Sequence, residues 1–452
     1  MRIRYLLPIF LAPWLLTAAN ANPYETTLKN GLRVIVKEDR RAPTAVQMVW
    51  YRIGSMDEVD GASGVAHVLE HMMFKGTPEV GPGEFNKRVA AAGGRDNAFT
   101  SRDYTAYFQQ VPKEKLEEMV QLEADRMRHL NVDAKEFEQE IKVVMEERRM
   151  RTDDNPQSKL FEQMNAVAFQ AHPYRRPIIG WMNDLETMTA SDAKAWYDTW
   201  YVPNNAYVII TGDVDHKAVF ELAEKYYGPL EGRALPVRKT LAEPGQEGTR
   251  RVNVKAPAEL PVFIMGYKAP SLRDVEKDSD PYALEMLSAV LDGHDAARFN
   301  KHLVREQKVA LSVGIDYDAT ARGPGMIYLH GSPAEGKTVP ELEAALRGEI
   351  ERVQKEGVSE QELKRAKAQL LASQVYKLDS MFGQAMEIGQ TESAGIPYQK
   401  IDRMLEKLQK VTAAEVQAVA KKYFSDDSLT IGILEPQALD GKPRRSAVAA
   451  RH

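Results

Sequence analysis

An α+β fold of two homologous domains, each a mostly antiparallel sheet packed with helices, is what the sequence predicts. Three observations carry it. The order β-β-α-β-β-helices-β reads twice along the 452 residues. A stretch rich in Gly and Pro and poor in periodicity, residues 228–248, separates the two readings. Each reading ends, or nearly ends, on a dense β run, AYVIIT at 206–211 and LTIGIL at 429–434. Two domains of about 200 residues suit this length.

In order, residues 1–21 read as a secretory signal peptide. Arg2 and Arg4 form the basic start, residues 5–16 are apolar, and Ala19-Asn20-Ala21 is the small-residue cleavage pattern, with the cut after Ala21. The apolar stretch is shorter than the roughly 20 residues a membrane-spanning helix needs. A periplasmic or secreted location follows, with no membrane contact after cleavage. Loss of Arg2 and Arg4 takes the formal net charge from −5 to −7. At 43% hydrophobic and 28% charged residues, the chain has a globular composition. No basic block marks a nucleic-acid partner. The absence of cysteine excludes disulfides, thiolate metal sites and a cysteine nucleophile.

The first domain is expected over residues 22–232. It opens with a hairpin at 26–37 around Lys29-Asn30-Gly31 and a strand at 45–53. The helix in GVAHVLEHMMFKG follows, residues 64–76, with Ser63 as N-cap and Gly76 as stop. A loop and a short helix at 84–92 lead to two strands around the turn Ser101-Arg102-Asp103. Helices are predicted at 113–129, from Asp133 to about Met150 with Glu136 as capping-box partner, at 160–170, at 191–200, and after the strand at 206–211 up to Tyr227. Residues 233–250 are the linker. The second domain, residues 251–436, repeats the plan with strands at 251–255, 261–267, 309–317, 326–331 and 429–434. Its helices fall at 280–291, 298–306, 340–356, 359–376, within 381–395, and at 412–423. Residues 437–452 form a polar, Ala-rich tail.

Only the first repeat carries chemistry. His67, Glu70 and His71 form an H-x-x-E-H pattern. Residues i and i+4 share a helix face, so His67 and His71 can present two imidazoles to one metal ion. Glu70 leans toward the same place as a general base, the order found in inverzincins. Glu140 and Glu147, seven residues apart, share a face of the helix opened by Asp133. Glu147 is a candidate third ligand and Glu140 a support. The same acids can equally line a solvated face, and spacing alone leaves both readings open. The other histidines (His129, His172, His216, His294, His302, His330 and His452) lack ligand spacing.

With GVAHVLEHMMFKGT, DNAFTSRDYTAYF, EQEIKVVMEERRM, HPYRRPIIG, WYVPNNAYVIITGDVD and LTIGILEP in place, residues 22–436 resemble the pitrilysin and mitochondrial-processing-peptidase family of zinc peptidases. The resemblance implies one zinc ion per chain, held by His67, His71 and Glu147, the last standing 76 residues after His71. It implies Glu70 as the catalytic base and Glu140 as an acidic residue supporting the site. It further implies that the two halves form one clam of a two-clam chamber, with a peptide added as a strand along Asn97, Ala98, Phe99 and Thr100. In LVREQKVALSVG, Arg305 matches the family's substrate-binding Arg, but Ser312 stands where a Tyr is expected. A heterodimer with a related chain supplying Arg and Tyr, or a homodimer, is therefore expected. The activity implied is that of a periplasmic zinc endopeptidase acting on peptides or unfolded segments. A non-catalytic peptide-binding or scaffold subunit of the same fold is the alternative.

Overall fold

The computed structural model describes residues 23–439. Residues 1–22, which include the expected signal peptide, and residues 440–452 lie outside the described residues. The first half builds a six-stranded sheet from β1 (Tyr24–Thr27), β2 (Arg33–Glu38), β3 (Thr44–Tyr51), β4 (Arg95–Thr100), β5 (Thr105–Pro112) and β6 (Ala206–Gly212). Its order is β1-β2-β6-β3-β5-β4, antiparallel throughout except for the parallel β2–β6 pair. The second half builds a five-stranded sheet from β7 (Arg250–Pro257), β8 (Val262–Ala269), β9 (Ala310–Tyr317), β10 (Gly325–Pro333) and β11 (Leu429–Gln437). Its order is β7-β11-β8-β10-β9, again with one parallel pair, β7–β11. Without β1 the two orders are identical: β2, β6, β3, β5 and β4 correspond to β7, β11, β8, β10 and β9.

The central strands are buried on both faces, which is why β3 reads as a nearly continuous apolar run (TAVQMVWY). Alternation divides its side chains. Ala45, Val49 and Tyr51 enter the core formed with the first half's own helices. Val46, Met48 and Trp50 enter a second core whose other wall is Met381, Ala385 and Ile388, from the helix Met381–Ser393 of the second half. The exchange is reciprocal. Val262 and Ile264 of β8 and Leu434 of β11 pack against Leu160 and Met164, from the helix Pro156–Ala168 of the first half. Each half thus covers one face of the other's sheet. Small residues admit the crossing helices: a Cβ on Gly389 would sit 2.1 Å from the Trp50 ring, and one on Gly266 would sit 2.6 Å from Met164.

Some local expectations are corrected. The helix in residues 64–76 runs only over Val65–Met72, and its N-cap is Gly64 rather than Ser63. Ser63 instead donates its hydroxyl to Asp184 at 2.5 Å, so it ties the helix start to a distant segment. The chain turns at Met73, before Gly76, which adopts φ +99° in the following loop. Asp133 caps the helix Ala134–Arg148 as expected, accepting from the amides of Lys135 and Glu136. That helix ends in a π turn, Arg149–Asp153. The helix expected at 160–170 starts earlier, at Pro156, behind the Asn155 cap. Helices Met182–Thr187 and Ile401–Lys410 lie where none was expected. The first is too short for periodicity to register, and the second follows the Gly395-Ile396-Pro397 break.

Because Gly389 lies against Trp50, Gly389→Ala forces the exchanged helix off the first sheet. We expect it to lower stability by about 1–3 kcal/mol in urea unfolding, the usual cost of overpacking a filled core.

Candidate metal centre

Two packed helices build the site. Phe137, Ile141 and Val144 are buried along Ala134–Arg148, and seating this apolar stripe turns Glu140 and Glu147 toward Val65–Met72. On that helix Val65, Val68, Leu69 and Met72 are buried in the core, which aims His67 and His71 back at the carboxylates. The His67 and His71 ring centroids are 4.8 Å apart. Oε2 of Glu147 is 3.3 Å from Nε2 of His71 and 3.9 Å from Nε2 of His67. A ligand atom from each of the three residues lies within 4.8 Å of the others. Donors at about 2.0–2.1 Å from one tetrahedral zinc stand about 3.3 Å apart, so two imidazole nitrogens and one carboxylate oxygen fit that ion.

Supporting contacts fix the ligands. Nδ1 of His71 lies 2.8 Å from Oε1 of Glu140. A carboxylate only accepts, so Nδ1 carries a hydrogen, and Nε2 is the nitrogen left to bind a metal once it gives up its own proton. The Lys75 ammonium holds the other Glu140 oxygen. Arg151, in the π turn, takes Oε1 of Glu147 at 2.6 Å and leaves Oε2 toward the imidazoles. Glu70 accepts a 2.5 Å hydrogen bond from the Thr100 hydroxyl at the end of β4.

The electrostatics follow from burial and pairing. Burial pulls the His71 imidazole down, but hydrogen bonds to Glu140 and Glu147 outweigh it and lift it to about 9. Burial likewise raises Glu147, but the His71 hydrogen bond and the charges of His67, His71 and Arg151 hold it down at about 2. Glu140 is lowered too, burial being overcome by His71 and Lys75. Glu70 differs: burial wins over the Thr100 hydrogen bond and keeps its carboxyl above the ordinary range.

These groups open into a cavity of about 1110 Å³ between the halves. His67, Glu70, His71 and Glu147 line it, as do Asn97, Ala98, Phe99 and Thr100. β4 is the last strand of its sheet, and its outer edge has no strand partner among the described residues. The second half contributes Ser312, Asp316, Tyr328 and His330. Glu140 sits behind His71 and does not line the cavity. Arg305 is not brought to the site: it is exposed on the helix Phe299–Glu306 and lines none of this cavity. Sequence reasoning missed Thr100, Lys75 and Arg151 as partners. Arg151 was within reach, since it stands four residues after Glu147 in a helical stretch. The Thr100 contact depends on strand placement and has no local signal.

An antiparallel-sheet frame with an inverted two-histidine helix defines a class of zinc peptidase, and the comparisons with known proteins agree. Residues 33–181 match the family described as Insulinase (Peptidase family M16), and residues 187–370 match the Peptidase M16 inactive domain. The chain belongs to peptidase family M16. It is 31% identical to "Zinc protease PqqE" of Helicobacter pylori over 91% of this chain and 92% of that protein. Among solved structures, a protease from Helicobacter pylori superposes with a TM-score of 0.87 at 30% identity, covering 92% of this chain and 99% of that one. The periplasmic protease PqqL from Escherichia coli shares the fold, with a TM-score of 0.79 at 18% identity; the match covers 93% of this chain but 49% of that one.

The metal-free protein should show the His71 shift as a pH-dependent stability. Its folded value of about 9 lies above the ordinary 6.5. The stabilisation is complete below about 6.5 and fades as pH rises through about 9. Urea midpoints of chelator-treated protein should fall across that window, and mutation of His71 to Asn should flatten the decline.

Proposed function

We propose that this chain is a periplasmic zinc-dependent endopeptidase that hydrolyses peptides or unfolded segments inside an enclosed chamber. The observation that carries this reading is the convergence of His67, His71 and Glu147 beside a buried Glu70 that is tethered to β4. His67, His71 and Glu147 would hold a zinc ion, which would supply Lewis acidity and lower the pKa of a bound water to about 7. Glu70 takes the proton of the attacking water and returns it to the leaving amine. Its upward shift suits the second half of that task, which needs a carboxyl able to hold a proton. Glu140 and Lys75 keep His71 oriented.

The peptide lies along the outer edge of β4, with main-chain hydrogen bonds to residues 97–100. The Thr100–Glu70 contact brings that strand and the base together, so a bound peptide passes the base. In this reading residues 22–232 form the metallopeptidase domain, 233–250 the linker and 251–436 its non-metal counterpart. The signal pattern in residues 1–21 supports export.

A related partner chain completes the site. Ser312 lines the cavity where a Tyr was expected, and Arg305 lies outside it. The periplasmic protease PqqL is about twice as long, and its first half by itself matches this chain over 93% of its length. A heterodimer is proposed, and a homodimer is the other arrangement that satisfies the same need.

Glu70→Gln should keep zinc near wild-type content by metal analysis while peptide cleavage falls by about 10²–10⁴, the usual contribution of a general base. Cleavage at the wild-type rate would reject Glu70 as the base. The purified chain alone should turn over a fluorogenic peptide poorly and gain activity with its related partner. Full turnover by the lone chain would refute the need for a partner.

A further inference from the structure

We infer that Glu58 is a positioning residue that sets the rotation and height of the metal helix, and through it the placement of His67. The inference rests on the zinc reading above and goes beyond the ligands and the base. Glu58 is 4% exposed and stands outside the cavity. Its two carboxyl oxygens serve separate amides: Oε2 accepts from Gly64 at 2.9 Å and Oε1 from Ala66 at 3.0 Å. Both amides belong to the first turn of Val65–Met72, where helical amides have no partner within the helix. Ala66 immediately precedes His67. A carboxyl group that grips two amides on either side of Val65 fixes where that turn sits, as a single-point cap does not.

The grip is itself anchored. The Glu58 carbonyl accepts from Arg176 at 2.6 Å, and Arg176 also pairs with Asp60 at 2.9 Å. Gly64, at φ +89°, packs so closely that a Cβ would lie 2.6 Å from the Ile179 carbonyl. The helix has only eight residues, so its start governs the whole of it. His67 is its third residue, too near the start for the helix to average out a tilt. An error of about 1 Å is enough to spoil a functional constellation. A glutamine at 58 would present one oxygen and one NH2 group, so one amide would lose its acceptor and face a donor.

The test is the zinc affinity of the full chain, titrated against a chromophoric chelator on variants shown to be folded by circular dichroism. E58Q should bind zinc about tenfold or more weakly, the range seen when groups that orient metal ligands are removed. E58D, whose shorter arm reaches one amide, should also weaken binding, and it carries the test if E58Q does not fold. The control is E362Q, which removes a capping carboxylate from the helix Glu360–Asp379 in the second half. It should leave zinc affinity within about twofold, whatever it does to Tm. Wild-type affinity in E58Q or E58D overturns the inference, and so does an equal loss in E362Q. A wild-type chain that binds no zinc overturns the zinc reading and this inference together.

Discussion

Each sheet has a second apolar face turned away from its own half's helices, and a helix of the other half packs against it. That constraint organises the molecule. β3 sends Ala45, Val49 and Tyr51 to one side and Val46, Met48 and Trp50 to the other, and both sides are buried. The helix Met381–Ser393 closes the first sheet, and Pro156–Ala168 closes the second. Exchange of this kind locks the halves by core packing rather than by surface contacts. It also places the walls of the second half across from the histidine helix, so a cavity lies between them.

The site is built by the same economy. Burying Phe137, Ile141 and Val144 leaves Glu140 and Glu147 on the flank of their helix that meets the histidines. Burying the apolar face of Val65–Met72 returns the compliment. Charged groups brought together this way need compensation, and they have it: Lys75 on Glu140, Arg151 on Glu147, and hydrogen bonds from the His71 ring to both acids. Glu70 stands apart, with a hydroxyl as its partner and its carboxyl raised by burial. One carboxylate held ionised beside another pushed toward protonation is the separation that acid–base work at neutral pH requires.

The two repeats have diverged in chemistry but not in strand order. In the second repeat the helix Asp280–Asp292 occupies the place of the histidine helix, and its core face is apolar (Tyr282, Leu284, Met286, Leu287, Val290 and Leu291 are buried). Packing was kept where the ligands were not. The match of residues 187–370 to a domain described as inactive accords with this asymmetry.

By itself the sequence determined the α+β class, the double reading of one plan, and the identity of the residues that meet at the site. Apolar periodicity and the i, i+4 pairing of His67 with His71 are local properties; the seven-residue step only puts Glu140 and Glu147 on one face, and Glu147 as a ligand came from the family resemblance. Only the tertiary structure decided that each half caps the other's sheet, since a buried face looks alike whichever helix covers it. It alone joined Thr100 to Glu70, Glu58 to the start of the metal helix and Ser63 to Asp184, and left Arg305 outside the cavity. Those contacts link residues 6 to 121 positions apart. Side chains so separated meet through the packing of whole elements, which no spacing along the chain records.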